Sequence, residues 1–364
     1  PKELERVRSD YLNEIPDDFE YPLFNGAQAI ESQRRSGYRN TQRAAREVVD
    51  NAIEAGANNV WIAMRRVSES ERTKGQPKNT VDSIAFIDDG PGMEHVPGGH
   101  SMLRYALSWG GGSHFKNPNK IGKFGFGLPN SGINQTRRLE AYSKTVLSDN
   151  WYRGVIDINN PPAFGVVNID EPQEALLPDY ITAFLKKNKI ELKSGVIVIW
   201  EKPDRLTWST EEKLAEALRQ DFSVTYRGML DTFNLFINSQ TPLKPIDPLF
   251  ITPGADLYVA PDLEDFEKGG AFKSHEGQLF VKGFRNTATG AQQLELLETD
   301  EDIASAKRAV ASPPPGESHV VVSTLDVKIG RMPHDFLEFK KPKAGESRDP
   351  YTRGRIRKDR RGIT

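Results

Sequence analysis

One helical segment constrains this chain more than any other part of its sequence. Apolar residues recur every four positions in two adjacent stripes of residues 40–56, which predicts a helix that packs one face on a core. Glu47 and Asn51 also stand four residues apart, so both project from one face beside those stripes. A carboxylate there can take a proton from water, and an amide oxygen can ligate a hard cation such as magnesium. A plain surface helix is the alternative for this segment on its own.

The composition narrows the classes of function. A chain of 364 residues is long enough for two domains, each with its own core. The absence of cysteine excludes disulfides, thiolate zinc sites and a cysteine nucleophile, and it fits a cytoplasmic protein. A formal net charge of -2 gives no overall attraction to nucleic acid. We expect no membrane span and no signal peptide, because there is no long apolar run and the first residues are charged.

A second motif follows two predicted strands, residues 59–64 and 81–87. The second strand runs directly into Asp88-Asp-Gly-Pro-Gly-Met93, a carboxylate followed by two closely spaced glycines. Such a turn lets a ligand approach the backbone. Asp88 is therefore placed to accept a hydrogen bond from an exocyclic amine. An ordinary Asp-Gly turn is the alternative.

The third motif lies after a glycine-rich stretch, residues 94–121, which is typical of a lid over a binding site. Residues 122–127 then carry three glycines, Gly122, Gly125 and Gly127, and a proline suited to the first turn of a helix follows. The backbone amides of such a loop, with the helix N-terminus, can bind phosphates. The spacing matches neither the P-loop nor the dinucleotide-binding fingerprint.

Together these three motifs resemble the signature boxes of the GHKL ATPases, which include gyrase B, the heat-shock chaperone ATPase, histidine kinases, MutL and the MORC proteins. The boxes occur in the family's order over roughly residues 40–200. The resemblance implies the Bergerat ATP-binding fold, an α/β two-layer sandwich, followed by an α+β transducer-like domain. Prokaryotic MORC-like or chaperone-like members are the most similar.

The resemblance also implies roles for individual residues. Glu47 is similar to the catalytic general base, Asn51 to the magnesium ligand, and Asp88 to the carboxylate that binds the adenine amino group. Residues 194–200 are similar to the Gly-Thr strand that closes the adenine site in this family, where the threonine makes a hydrogen bond. Val196 stands in the place of that threonine, which makes Ser194 the candidate for the hydrogen bond. The other residues implied in nucleotide binding are Gly90, Gly92, Met93, Gly122, Lys123, Phe124, Gly125, Phe126, Gly127 and Leu128.

Three parts of the chain are expected: an N-terminal arm with one helix (1–38), the ATP-binding domain (39–203) and the transducer-like domain (204–364). In the last of these we predict a helix at residues 210–229, because an apolar stripe recurs every four positions at Leu214, Leu218, Phe222 and Tyr226. We also predict a helix over the acidic run 294–310, between strands 277–284 and 319–329.

The C-terminal part carries several basic candidates. In transducer families a lysine reaches back to the γ-phosphate, and the candidates here are Lys328, Lys340, Lys341 and Lys343. The basic segment 340–364 is either a solvated tail or a contact for nucleic acid. The sequence stops abruptly at Thr364, and we expect further domains beyond it.

The predicted function is an ATP-hydrolysing switch that binds ATP and magnesium, dimerises and signals to a protein partner or effector. Analogy with MORC-like proteins extends this to antiviral defence. One alternative is a DNA clamp like those of topoisomerases and mismatch repair. A histidine kinase is less favoured because the first histidine, His95, lies in the lid. The base Glu47 disfavours a module that only holds nucleotide.

Overall fold

The computed structural model describes residues 26–111, 125–160, 167–247 and 273–331. The chain forms two compact units that divide between Lys244 and Pro245. Within the described ranges, no helix combines the length and the apolar character needed to cross a membrane.

The first unit is a seven-stranded sheet with helices packed mainly on one face. Its strands follow the order β5-β4-β3-β6-β2-β1-β7, and every neighbouring pair is antiparallel except β1 and β7. The strands are β1 (Asn59–Arg66), β2 (Val81–Asp88), β3 (Arg138–Lys144), β4 (Tyr152–Asp157), β5 (Gln173–Glu174), β6 (Gly195–Glu201) and β7 (Asn234–Ile237). The helices are α1 (Gly26–Ser36), α2 (Thr41–Glu54), α3 (Met102–Leu107), α4 (Gly127–Gln135), α5 (Asp179–Asn188) and α6 (Glu211–Thr225).

Helix α2 forms where the apolar spacing predicts it. The Asn40 side chain caps its start by accepting a hydrogen bond from the backbone N–H of Arg43 at 2.9 Å. Its predicted apolar stripes are buried, with Ala44, Ala45 and Val49 fully inaccessible to solvent. They belong to the core that fills the space between the helices and the inner face of the sheet. The helix is therefore held on the inner face of the sheet, and its four-residue spacing puts Glu47 and Asn51 on one side of it.

The outer face of the sheet has a smaller cover. Ile181 of α5 is fully buried against outer-face side chains of the central strands, among them Ile87, Ile197 and Ile199. Sheet and inner helices form the two main layers, and α5 adds a partial third layer. The predicted α/β sandwich is confirmed.

The first unit extends further along the chain than the predicted boundary at residue 203. Helix α6 buries the predicted stripe of Leu214, Leu218, Phe222 and Tyr226 in the core of the first unit. Strand β7 then pairs in parallel with β1 and adds an edge to the sheet. Both elements complete the first core, so the division lies at Lys244 instead.

The second unit contains a three-stranded antiparallel sheet of order β10-β8-β9, with helix α7 packed on β10 and β9. Its elements are β8 (Lys273–Asn286), β9 (Gln292–Leu297), α7 (Asp300–Ala311) and β10 (Glu317–Arg331). It is an α+β unit, as predicted.

The helix predicted over residues 294–310 is wrong in its first part. Residues Gln292–Leu297 form strand β9, which pairs with β8. Helix α7 begins only after Thr299, which forms a capping box with Asp302. The capping box and the available edge of β8 outweigh the helix propensity of the leucines and glutamates before it.

Several predictions concern residues outside the described ranges. These are most of the N-terminal arm (1–25), part of the lid (112–121), the loop residues Gly122, Lys123 and Phe124, and the candidate lysines Lys340, Lys341 and Lys343 with the basic segment around them. Lys328 lies in β10, but its side chain is also outside the description.

Candidate nucleotide site

The Glu47 carboxylate on helix α2 lies against Gly127, the first residue of α4. Glu47 is half-buried, and Asn51, one helical turn later, is exposed. A Cβ atom added to Gly127 would lie 2.6 Å from Oε2 of Glu47, well inside van der Waals contact. The acid of the first sequence motif and the last glycine of the third motif therefore lie side by side, and a larger residue at position 127 would displace the Glu47 carboxylate.

The surroundings of Glu47 favour a carboxyl that binds its proton more readily than usual. Burial is the main cause that raises its pKa, and the neighbouring Asp50 carboxylate raises it further. A hydrogen bond with the Tyr38 side chain acts in the opposite direction and lowers the pKa of Glu47. A carboxylate with a raised pKa is a stronger proton acceptor than an ordinary glutamate, which suits a general base.

Helix α4 begins at Gly127, beside the Glu47 carboxylate. Its N-cap residue, Phe126, makes no side-chain capping hydrogen bond. The N–H of Asn130 bonds to the carbonyl of Phe126 at 3.0 Å, so the helical hydrogen-bond ladder starts there. The earlier amides, on Gly127 and Leu128, point out of the helix end, where the helix dipole favours an anion.

The loop before α4 contacts the end of the lid. The N–H of Gly110 donates to the carbonyl of Gly125 at 3.2 Å. The Phe126 side chain is exposed, whereas Leu128 is buried in the core. The described part of the predicted phosphate loop therefore joins the lid segment to α4.

Asp88 lies at the end of β2 with its carboxyl group buried. Its Oδ1 accepts hydrogen bonds from the N–H of Gly90 at 2.9 Å and from the N–H of Val196 at 3.2 Å. Burial is the main cause that raises the pKa of Asp88 to about 6, and the two backbone bonds partly oppose it. Both of these donors bond to Oδ1. Among the described residues no hydrogen bond to Oδ2 is found, so Oδ2 can accept one from a ligand.

The neighbouring carboxylate has a structural role. Oδ1 of Asp89 accepts hydrogen bonds from the N–H groups of Asn58 and Asn59, each at 2.8 Å. Its Oδ2 accepts a third bond from the Asn59 side chain at 2.6 Å. Asp89 thereby ties the start of β1 to the end of β2, and only Asp88 remains directed at the site.

The glycine-containing turn after Asp88 is held tightly on strand β3. Gly92 has φ +76°, and a Cβ atom there would lie 2.1 Å from the carbonyl oxygen of Lys144. The Ser143 hydroxyl accepts from the N–H of Met93 at 2.6 Å and donates to its carbonyl at 3.0 Å. The backbone of the turn is consequently fixed before any ligand binds.

The far side of the same turn is fixed by the start of β6. The Ser194 hydroxyl donates to the carbonyl of Gly90 at 2.8 Å. Its proton is therefore used within the protein, while the N–H of Val196 serves the Asp88 carboxyl. Ser194 thus orders the turn, and the hydrogen bond expected from it to adenine has no donor in this arrangement.

Sequence reasoning missed three residues around the site. Tyr38 acts on the pKa of Glu47, and the Tyr226 hydroxyl donates to Oδ1 of Asp50 at 2.7 Å. Tyr226 was predicted only as part of an apolar stripe, although its hydroxyl needs a partner when it is buried. Asp50 stands three residues after Glu47 on the same helix, and this spacing was the available signal.

An apolar cavity of about 500 Å³ lies apart from these polar groups. Its walls come from α1, α3, α4 and β4, and they include Ile30, Leu107, Trp109, Ile133 and Ile156. Neither Glu47 nor Asp88 lines it, so this cavity is separate from the polar site.

The comparisons with known proteins agree with this geometry. Residues 38–160 match the family model described as histidine kinase-, DNA gyrase B-, and HSP90-like ATPase. That segment contains the α2 acid, the Asp88 turn and the open end of α4. Residues 38–160 therefore belong to the GHKL ATPase superfamily. The predicted recognition is confirmed at the level of the GHKL superfamily.

No curated protein matches the chain. Among solved structures, this chain is similar to the ATPase and transducer domains of DNA topoisomerase II from Balamuthia mandrillaris, with 11% sequence identity and a TM-score of 0.36. The match covers 56% of this chain and 48% of the topoisomerase chain, so the chain spans about half of that structure's length.

The GHKL domain provides few protein ligands for a metal ion. In the part of the chain that the structure describes, no cluster of three or more His, Asp or Glu side chains could hold a metal. Asn51 is exposed and one turn from Glu47, and an amide oxygen suits a hard cation. This donor set fits magnesium that keeps water and substrate oxygens as its other ligands.

Proposed function

We propose that this protein is an ATP-hydrolysing conformational switch. The observation that carries the proposal is the juxtaposition of the Glu47 carboxylate with the uncapped N-terminus of α4. A water-activating base beside a phosphate-binding helix end is suited to hydrolysis of the phosphoanhydride bond between the β- and γ-phosphates. The match of residues 38–160 to the GHKL family supports ATP as the nucleotide.

Asp88 is the proposed recognition element for adenine. Its buried carboxyl uses Oδ1 for backbone donors and leaves Oδ2 as an acceptor for the exocyclic amino group. Guanine presents a carbonyl oxygen at the corresponding position, so a carboxylate there would repel it. Gly90, Gly92 and Met93 form the turn that shapes the base pocket.

The phosphates are proposed to lie at the start of α4. The amides of Gly125, Phe126, Gly127 and Leu128 face the helix end, and Gly122, Lys123 and Phe124 complete the loop by resemblance. Asn51 would hold the magnesium ion through its amide oxygen. When bound, magnesium neutralises phosphate charge. The open helix end adds its own partial positive charge.

Glu47 is the proposed general base. Its carboxylate takes a proton from a water molecule as the water oxygen forms a bond to the γ-phosphorus. The bond between that phosphorus and the bridging oxygen breaks, and its electrons leave with ADP. Positioning and electrostatic stabilisation supply most of the rate enhancement in such reactions.

We further propose that ATP promotes a homodimer and that the second unit acts as a transducer to a protein partner or effector. Residues 204–244 complete the core of the first unit, which leaves residues 245–364 for this role. A cytoplasmic MORC-like or chaperone-like machine is the favoured class, with antiviral defence as an analogy. The alternative is a DNA clamp ATPase, for which the basic segment 340–364 would be the contact with DNA.

A histidine kinase is disfavoured by the position of His95, the first histidine of the chain. His95 lies in an isolated β-bridge with Ser101, whereas the phosphoacceptor of a histidine kinase would lie on a helix.

The switch is tested by light scattering on the Glu47→Ala protein, with and without ATP and magnesium. ATP binding is measured on the same samples, and Glu54→Ala on the same helix is the control. The proposal predicts that Glu47→Ala binds ATP and shifts from monomer to dimer, because hydrolysis no longer reopens it. Bound ATP without any change in mass would contradict the dimer switch.

A further inference from the structure

The apolar cavity beside α3 has the size of a small-molecule site. Its volume of about 500 Å³ falls within the range of roughly 300–1,000 Å³ that such sites occupy. Helix α3 and the residues just after it form one wall, and Pro129 and Ile133 of α4 form another. Ile30 of α1 and Ile156 of β4 also line it, so the whole cavity lies within the first unit.

The walls of the cavity suit an apolar occupant better than water. The Ser101 hydroxyl already accepts a hydrogen bond from the N–H of Arg104 at 3.0 Å, and the Ser108 hydroxyl donates to the carbonyl of Tyr105 at 2.7 Å. A buried water needs about two to four polar partners, and these walls are mostly hydrocarbon. Tyr105 and Trp109 add aromatic surface, which packs well on a flat ring.

One charged side chain lines the same cavity. Arg104 is exposed, and its Nε donates to the carbonyl of Ile169, another wall residue, at 2.7 Å. That bond orients the guanidinium, and among the described residues no carboxylate pairs with its two NH₂ groups. A guanidinium fork binds a carboxylate through two parallel hydrogen bonds. The cavity therefore combines an apolar interior with an oriented site for an anion.

We infer that the apolar cavity is a binding site for a small amphiphilic carboxylic acid. The hydrocarbon or aromatic body of this ligand lies between α3 and α4, and its carboxylate pairs with Arg104. Apolar walls alone would take a neutral molecule, and an arginine alone would take any anion, so the two together define the class of ligand. Because neither Glu47 nor Asp88 lines the cavity, the site is distinct from the candidate nucleotide site.

The test is calorimetric titration of the nucleotide-free protein with two probes. 1-Naphthoate is a bicyclic aromatic carboxylate, and 1-naphthalenemethanol has the same rings without the charge. We expect one naphthoate to bind per chain with a Kd below about 1 mM. Arg104→Gln should weaken naphthoate binding about tenfold and change the binding of the alcohol by less than about twofold. Equal effects on the two probes, or no effect on either, would overturn the inference.

The matched control is Arg227→Gln at the end of α6. Arg227 is exposed, and its Nη1 donates to the carbonyl of Val224 at 2.9 Å, but it does not line the cavity. This variant removes the same charge and the same kind of bond, so naphthoate binding should stay at the wild-type value. A loss as large as that in Arg104→Gln would attribute the effect to net charge and would overturn the inference.

Hydrogen exchange with and without naphthoate locates the bound probe. Protection should be concentrated in α3 and in residues 167–169, which line the cavity. Protection confined to α2 and the Asp88 turn would place naphthoate in the nucleotide site and would overturn the inference. No binding to the full chain would also overturn it, and binding that appears only after removal of residues 1–25 would assign the cavity to that segment instead. These readouts need no ATP turnover, so they are independent of the proposed function.

Discussion

Replacement of Asp88 by asparagine should make the protein more stable and unable to bind ATP. The change keeps the shape of the side chain and removes its charge. The asparagine oxygen can still accept from the N–H groups of Gly90 and Val196. That orientation places the new NH₂ group where Oδ2 stood, so a donor faces the site in place of an acceptor.

The size of the stability effect follows from the pKa of Asp88. Burial raises this pKa from its ordinary value of 3.8 to about 6. At about 1.36 kcal/mol per pH unit, the ionised carboxylate costs the folded state up to about 3 kcal/mol. Because the folded pKa is the higher one, the cost is absent below about pH 4, grows between about pH 4 and 6, and is complete above that range. Asp88→Asn removes it.

The effect on binding has the opposite sign. An adenine amino group would meet the NH₂ group of the asparagine, which leaves two donors without an acceptor. Such a mismatch in a buried site should weaken ATP binding by at least about a hundredfold. A variant that gains stability and loses binding cannot be explained by misfolding.

Urea unfolding at pH 4 and at pH 7.5, together with calorimetric ATP binding, measures both effects. Asp89→Asn is the control, because Asp89 ties β1 to β2 through three hydrogen bonds. It should lose stability and keep ATP binding. Normal ATP binding by Asp88→Asn would show that the adenine assignment is wrong. An equal stability difference at both pH values would refute the burial argument.

Two glycine substitutions test the geometry of the site. Gly127→Ala puts a Cβ atom 2.6 Å from Oε2 of Glu47 and should displace that carboxylate. Phosphate release should therefore slow at least about tenfold, with little change in ATP affinity. The control is Gly228→Ala, which has open space for a Cβ atom and should be neutral. Wild-type turnover in Gly127→Ala would show that Glu47 does not act from this position. Gly92→Ala combines φ +76° with a contact of 2.1 Å to backbone, and urea unfolding should show a loss of at least about 2 kcal/mol. The control is Gly75→Ala, where φ is +87° but no atom lies within 4 Å of the added Cβ atom. If Gly75→Ala lost as much stability as Gly92→Ala, the positive φ alone would explain the effect, and the contact with Lys144 would not.

The sequence predicts the elements of the GHKL domain well because its signals are local. The apolar stripes of α2 place Glu47 and Asn51 on one face, and the structure has the helix within two residues of the predicted ends. The turn after β2 is similarly marked by Asp88 and two glycines. Each of these features depends on spacing within a few residues, which a sequence displays directly.

Long-range contacts account for what the sequence did not reveal. Strand β7 joins the first sheet only because it pairs with β1, far earlier in the chain, and this pairing moves the boundary to Lys244. Tyr226 reaches Asp50 across a similarly large separation. The strand at Gln292–Leu297 was mistaken for helix because its pairing with β8 outweighs its composition.

The most direct test of the central claim is phosphate release from saturating ATP and magnesium by wild type and Glu47→Ala, with ATP binding measured in parallel. The account predicts that both proteins bind ATP and that only the wild type releases phosphate at a measurable rate, with Glu47→Ala slower by at least about a hundredfold. Full turnover by Glu47→Ala would show that Glu47 is not the base and would contradict the catalytic role assigned to the α2–α4 site.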